Sequence, residues 1–523
     1  MTSIAEILGI LAALGFSWAR MSIALLLSIL FSLAVGILAG VNRTAEKILI
    51  PLLDVLQSIP ILSFFPLALY AFIALHPVVG PEIAAIFLIF TSQVWNIAFG
   101  VYESVKLIPK EILEAAKSLG FGWGRKLRSL YLPAAFPKIA SNLPASWANG
   151  LYFLVACEII TIGEARWKLF GIGTLSTEFI LSGRVLEFAI SLGAVMLAVV
   201  LMNLLLFIPL MRLGERYKFQ ETAAEVPRVW IERVTKPLGG FGKIFSPRLK
   251  FPKTRFAERF SKHLSKYAKP IATAFLILVL LACVYEIASI TSFDGFTALV
   301  RGFEKLGVIA PLVMIAFSLM RVVAAIVIAL IWVIPTAVLI YEKRFLEKIL
   351  IPFFQVLASL PATILLPLIV KIVLDLKLPS EIGAIILILL GTQWYLLFFI
   401  TGAMKSIPRE EEELCKLLRI EGLSKFKHLY FPRMLPSLIM GCLVAMGGGW
   451  NTLVVAERIV LDHFIWQVEN PGIGKALSEA VSMGDVGLLT AATIWMAGFI
   501  VIFNRLVWRR LYEKAIQTIG AAT

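Results

Sequence analysis

Apolar runs long enough to cross roughly 30 Å of hydrocarbon recur near residues 17–40, 52–75, 82–105, 137–161 and 185–211. They return near 270–290, 311–340, 353–372, 381–402, 436–460 and 485–508. Between 212 and 269 the pattern gives way to polar and basic sequence. The alternation predicts five spanning helices, a connector, one further helix and then five more. Residues 1–16 and 291–310 precede matching runs and read as short amphipathic or loop segments rather than spans.

The polar positions between the runs repeat as well. Ile108 to Pro137 reads IPKEILEAAKSLGFGWGRKLRSLYLPAAFP, and Ile407 to Pro436 reads IPREEEELCKLLRIEGLSKFKHLYFPRMLP. Glu46 to Pro51 and Glu347 to Pro352 are both EKILIP, Gln57-Ser58-Ile59-Pro60 answers Ala358-Ser359-Leu360-Pro361, and Pro66 answers Pro367. One module has been copied and joined. The predicted fold class is an all-α polytopic membrane protein of two parallel five-helix repeats plus one extra linking helix, about eleven spans related by a pseudo-twofold. The domains are 1–211, a first repeat; 212–269, a basic connector; 270–310, the extra helix and an outer segment; and 311–523, a second repeat.

Composition agrees with this class. Of 523 residues, 59% are hydrophobic and 16% charged, and the mean hydropathy of +0.89 exceeds what a soluble core could bury. The four cysteines, Cys157, Cys283, Cys415 and Cys442, form no CxxC pair and read as packing residues. No removable signal peptide is expected, because no charged segment precedes a short apolar stretch with a small-residue cleavage site. A five-helix unit enters on one side of a membrane and leaves on the other, so one extra crossing keeps the repeats parallel. Residues 212–269 hold fifteen Lys or Arg against five Glu, which places the connector and both repeated loops in the cytoplasm. The N-terminus is then extracytoplasmic and the C-terminus cytoplasmic, in a multi-pass plasma-membrane protein. The net charge of +15 is concentrated in that connector, where it suits anionic lipid headgroups rather than nucleic acid.

The repeated loop carries the chemistry. Pro109 stands where a helix begins, Glu111 and Glu114 lie in its opening turns, and Gly120 can adopt the left-handed conformation that ends it. Ile108, Ile112, Ala115, Ala116 and Leu119 recur at helical spacing and give one face for docking against another protein. In the second copy Glu410 and Glu413 keep the acidic positions, but Leu414 and Cys415 replace the two alanines and Arg419 replaces the glycine, with Gly422 three residues on. That helix is expected to end later or to dock differently. The chain has no GxxxxGK[ST] phosphate loop, since Gly242-Lys243 runs into Ile244 and Gly474-Lys475 into Ala476.

Glu114-Ala115-Ala116, Gly120 and Leu132-Pro133 resemble the EAA loop of ABC-importer permeases, the binding-protein-dependent transport family. The Ser58-Ile59-Pro60, Phe65-Pro66, EAA and Gly171-Ile172-Gly173 series, with Gly472-Ile473-Gly474 in the second copy, looks most like its nitrate, sulfonate and taurine branch, in a fused form. The resemblance implies that Glu111, Glu114, Ala115, Ala116, Gly120, Glu410, Glu413, Leu414 and Arg419 couple the chain to an ATPase. It further implies two copies of a separate ATP-binding subunit, an extracytoplasmic solute-binding protein, ATP-Mg held by the partners and no cofactor in this chain, and import of a small anion. The chain itself is then not an enzyme.

Polar residues at mid-helix cost roughly 2.5 to 3.5 kcal/mol when charged and central, so they face neighbouring helices or a hydrated path. Gln93 and Asn96 in the third helix with Gln393 in its counterpart, and Trp147 and Asn149 in the fourth with Trp450, Asn451 and Thr452, are candidates for lining a translocation path. Interhelical hydrogen bonding is the competing reading for each. Arg20 and Arg321, and Glu158 and Glu457, are matched near outer helix ends and read either as an outer gate or as a structural Arg–Glu pair. The four histidines have no ligand spacing. An ion-coupled secondary transporter with tandem repeats is the rival class, but it would want acidic residues at helix centres, which are nearly free of them.

Overall fold

Apolar stretches with no internal stop signal form helices longer than a bilayer needs. In a computed structural model, which describes residues 4–58, 61, 68–69, 72–73, 76–162, 165–215, 217, 293–358, 362–405, 407–461, 464–508, 510–511 and 514, the first repeat opens with α1 (Ile4–Val41). Residues 4–16 therefore belong to the first long helix and do not form a separate segment; Gly9 and Gly15 in an apolar run are too little to end it. Then come α2 (Arg43–Ser58), α3 (Gly80–Lys106), the short α4 (Lys110–Ser118) and α5 (Leu132–Glu158). A hairpin of β1 (Ile159–Ile162) and β2 (Ala165–Lys168) leads to α6 (Ile172–Leu181) and α7 (Val185–Met202), which continues through a π turn at Asn203–Phe207 to Glu215. The extra helix expected at 270–290 and nearly all of the connector 212–269 lie outside the described residues, as do Pro60, Pro66 and Pro361.

Ahead of the second repeat stands α8 (Phe293–Leu306), so 291–310 is largely helical. Gly307, at φ +64°, separates it from α9 (Ile309–Glu342). There follow α10 (Arg344–Ala358), α11 (Ala362–Asp375), α12 (Ser380–Lys405), α13 (Arg409–Leu417) and α14 (Phe431–Glu457). The hairpin β3 (Arg458–Leu461) and β4 (Phe464–Gln467), α15 (Ile473–Met483) and α16 (Val486–Phe503) complete the copy, with a π turn at Asn504–Trp508. Among the described residues the protein is all-α apart from these two hairpins. Among the described residues, seven helices are long and apolar enough to cross a membrane.

Small residues bring the central helices together. Ser28, Ser32, Gly36 and Gly40 recur every fourth residue of α1 and face α3, where a Cβ on Gly36 would come within 2.8 Å of Val101 and one on Gly40 within 2.6 Å of Val105. The Ser28 and Ser32 hydroxyls donate to the carbonyls of Phe90 and Val94, each at 3.3 Å. Small faces of this kind replace the hydrophobic drive that lipid cannot supply. In the second copy Ala329, Val333 and Ala337 fill the first three places and are fully buried. The copies pack reciprocally: α2 meets α16 and α10 meets α7, the exchange a pseudo-twofold demands. In addition, α11 lies on α5 and α6 of the first copy.

The outer helix α8 docks on α16 without intervening side chains. A Cβ on Gly302 would sit 2.2 Å from the Gly487 carbonyl, and one on Gly487 2.1 Å from that of Ala298. Lys305 Nζ reaches Asp485 Oδ2 at 2.6 Å, and Asp485 caps α16 by accepting from the Leu488 N–H at 3.0 Å. The Lys305 hydrogen bond, with the Leu488 N–H, holds the Asp485 carboxyl below its usual range. Gly302→Val should force the helices apart and destabilise the protein by about 1–3 kcal/mol, as overpacking does elsewhere. Thermal unfolding in detergent checks this, and an unchanged midpoint would show that the backbones do not touch.

Candidate functional site

Two matched loops, each a short helix flanked by sharp turns, are the first part of the site. Pro109 and Pro408 precede α4 and α13 with extended backbone, and the acidic residues fall in the first turns. Gly120 takes φ +67°, and its N–H and that of Phe121 close the helix end on Lys117 and Ala116 carbonyls at 3.0 Å each. The second helix does not end later. Arg419 adopts φ +53° at the glycine's place, and Arg419 and Ile420 N–H groups close on Lys416 and Cys415 at 3.1 and 2.8 Å. The turn geometry is set by the loop as a whole, strongly enough to hold an arginine in a conformation glycine prefers.

The single docking face inferred from spacing divides into two. Ile108, Ile112 and Ala116 turn toward the helix bundle, with Ala116 and its counterpart Cys415 buried. Glu111, Glu114, Ala115, Glu410, Glu413 and Leu414 turn outward. The outer face is apolar beyond these: Leu119 is 70% exposed, Leu417 81% and Leu423 83%. Just after each helix the chain makes a π turn, at Leu127–Tyr131 and Phe426–Tyr430, before entering α5 and α14.

At the opposite end of the bundle, Arg20 is held by two carboxylates. Its Nε and Nη2 donate to both oxygens of Glu82 at 2.6 and 2.7 Å, and Nη1 donates to Glu158 at 3.0 Å. Ser17 donates to Glu158 and accepts from the Ile172 N–H, while the Gly173 N–H donates to Glu158 at 2.7 Å. The second copy repeats the arrangement: Arg321 pairs with Glu381 at 2.5 and 2.8 Å and with Glu457 at 2.6 Å, and Ser318 joins Glu457 at 2.6 Å. The first glycine of each Gly-Ile-Gly lies over the carboxylate, since a Cβ on Gly171 or Gly472 would be 2.1 Å from Glu158 or Glu457. Two charges of each set are thus buried yet fully paired. The Arg and Glu near outer helix ends meet directly. Glu82 and Glu381, Ser17 and Ser318 were missed from sequence, although the matched spacing of both pairs in the two copies was the available signal.

The mid-helix candidates separate under structural register. Glu158 and Glu457 end α5 and α14, 299 residues apart, so Trp147 corresponds to Met446, Asn149 to Gly448 and Leu151 to Trp450; the tryptophans are not equivalent. Likewise Gln93 stands opposite Thr392, and Gln393 opposite Val94. Trp147 packs edge-on to Phe207, whereas Met446 Sδ accepts from the indole of Trp508 at 3.2 Å. Gln93, Trp147, Gln393, Trp450 and Thr452 are buried, and Asn96 is exposed. Neither amide atom of Gln93 has a partner among the described residues.

Asn149 and Asn451 bridge the copies. Tyr395 donates to Asn149 Oδ1 and the Ile61 N–H donates to Asn451 Oδ1, each at 2.8 Å. Tyr152 of the first copy and Thr452 of the second meet over Gly391, where a Cβ would come within 3.1 and 2.9 Å of them. A seam of uncharged polar groups therefore closes the middle of the molecule where the two repeats meet, and Tyr152 and Tyr395, which sequence alone did not single out, belong to it.

A family description, the binding-protein-dependent transport system inner membrane component, matches the chain twice, over residues 28–217 and 325–513. The bicarbonate transport system permease protein CmpB of Synechococcus elongatus is 34% identical over 134 residues, 26% of this chain and 46% of that protein. The nitrate import permease protein NrtB of Leptolyngbya laminosa is 29% identical over 191 residues, 36% of this chain and 66% of its own. The taurine transport system permease protein TauC of Escherichia coli is 30% identical over 186 residues, 34% of this chain and 66% of its own. The matched stretches span about half to two-thirds of these relatives.

Arg321→Met should destabilise the fold by about 3–5 kcal/mol, because it strands Glu457 and Glu381 beside each other. Thermal unfolding of the purified protein reads the loss, and wild-type stability would mean the carboxylates find other partners. Arg419→Gly should act in the opposite direction, stabilising by about 0.4–1 kcal/mol by relieving the left-handed arginine against a looser unfolded chain. A lowered unfolding midpoint would contradict that account.

Proposed function

Because the chain belongs to the binding-protein-dependent transport system inner membrane component family, we propose that it supplies the whole membrane pathway of an ATP-driven importer, with one repeat for each of two separate ATP-binding subunits. The observation that carries this reading is the pair of short helices α4 and α13, equivalent in the two repeats and each presenting exposed acidic and apolar residues with none of the described residues over them. Leu119 and Trp123 in the first loop, and Leu414, Leu417, Leu418 and Leu423 in the second, are large apolar side chains more than half exposed. Such residues suit a groove on a partner.

In this reading an extracytoplasmic solute-binding protein delivers solute at the end marked by the Arg20 and Arg321 clusters. Closure of the ATPases moves α4 and α13, and the motion passes through the π turns into α5 and α14, which carry the cross-copy seam. Breaking the hydrogen bonds of that seam opens the path between repeats. Asn149, Asn451, Thr452, Tyr152 and Tyr395 are then exposed to the solute, with Gln93, Asn96, Trp147, Gln393 and Trp450 beside or behind them. The matched relatives are named for bicarbonate, nitrate and taurine, and a seam of uncharged hydroxyl and amide groups can accommodate such small anions without burying a fixed counter-charge. We place the N-terminus outside and the C-terminus and basic connector inside. The Arg–Glu clusters serve to anchor the outer ends of the helices.

Replacing outward residues tests the docking. Leu119→Asp combined with Leu417→Asp should reduce association with the ATP-binding subunit at least about tenfold, a loss of roughly 1.4 kcal/mol or more, while leaving the unfolding midpoint within a few degrees. Co-purification from membranes measures it. Unaltered association, or solute uptake into vesicles that proceeds without ATP, would overturn the reading.

A further inference from the structure

The two docking helices are attached to the bundle by different chemistry. In α13 the acidic run Glu410 to Glu413 has two faces. Glu410 and Glu413 point outward, like Glu111 and Glu114 at the same places in α4, while Glu411 and Glu412 point inward and are half-buried. Glu411 accepts both arms of Arg433 near the start of α14, with Nε at 2.8 Å and Nη2 closing the second bond. Tyr430, in the π turn, donates to Glu342 at the end of α9 at 3.1 Å, stands edge-on to Tyr341 at 5.8 Å and lies under Lys425 at 4.8 Å. The short helix is thereby tied to α14, and the π turn beside it to the end of α9.

The first repeat cannot form these ties. Ile112 and Leu113 stand where Glu411 and Glu412 do, and Ala134 stands for Arg433. Gly40 and Val41 take the places of Tyr341 and Glu342, and Gly40 is closed against Val105. Ile112 and Leu113 are partly buried against the core instead. Tyr131, matching Tyr430, and Lys126, matching Lys425, are common to both.

We propose that Glu411 and Arg433 are positioning residues that lock the second docking helix to α14 by a directional polar clasp, whereas the first is held by apolar contact and is the more compliant of the two. This rests on the coupling role proposed above. A bidentate Arg–carboxylate pair fixes both distance and orientation; apolar packing fixes distance alone and lets a helix roll. Displacement of the second ATPase is therefore transmitted directly to α14, and the departure of this loop from the Glu-Ala-Ala pattern is an exchange of one mode of attachment for another.

Charge reversal in the assembled complex, with its ATP-binding subunits in liposomes, tests the clasp. Arg433→Glu and Glu411→Arg alone should each leave ATPase association intact, because the outward face is untouched, but raise amide deuterium uptake over residues 409–417 and lower ATP hydrolysis by roughly three- to tenfold, the scale of a half-buried charge pair. The double variant Glu411→Arg/Arg433→Glu should restore both readouts, and Arg433→Lys should recover only part. Uptake over 110–118 should stay unchanged. In about 1 M salt, where the Debye length is about 3 Å, uptake should rise in 409–417 alone. Single reversals without effect, or a double variant no better than either single, would overturn the clasp. Failure of the wild-type chain to bind the ATPase would instead overturn the coupling role itself.

Discussion

A charge inside an apolar bundle must be met by an opposite charge and by hydrogen bonds, and in each repeat this requirement gathers four segments around one arginine. Arg20 draws Glu82 of α3, Glu158 at the end of α5 and, through the Glu158 carboxylate and Ser17, the first backbone N–H groups of α6. Arg321 gathers the same four segments of the second copy. A helix N-terminus meeting a carboxylate is favourable in itself, and here it also decides where α6 and α15 begin. The Gly-Ile-Gly motif follows from that meeting, because only a residue without a Cβ leaves room for the carboxylate.

With the outer ends tied, adjustment is left to the middle and to the opposite end. The middle is closed by neutral hydrogen bonds between the copies, weaker than ion pairs and so easier to exchange. The far end bears two short helices whose backbones are alike and whose attachments differ. A molecule firm at one end, lightly latched at its centre and free to adjust at the other has the mechanical order that the proposed alternating access requires.

Much of this was legible from residues. The duplication, the all-helical class and the left-handed turn after the first docking helix follow from repeated motifs, hydrophobic run lengths and Gly120. What escaped has identifiable physical causes. Residues 4–16 join α1 because nothing in an apolar stretch of that kind ends a helix. Arg419 obeys the loop in spite of its side chain, a tertiary override that local preference does not reveal. Trp147 and Trp450 attract the eye as a match, but register is set by Glu158 and Glu457, and it places Met446 and Leu151 opposite them. The inward turn of Ala116 away from Ala115 needed the position of the bundle, since helical spacing alone does not say which side is covered.

The seam between the repeats also records the history of the chain. Asn149 is met by Tyr395, but their counterparts are Gly448 and Asn96; Asn451 is met by Ile61, and its own counterpart is Tyr152. Each contact exists once per molecule, so the two sides of the join are not interchangeable. Covalent fusion keeps both sides in one polypeptide, and the join is made between unlike halves.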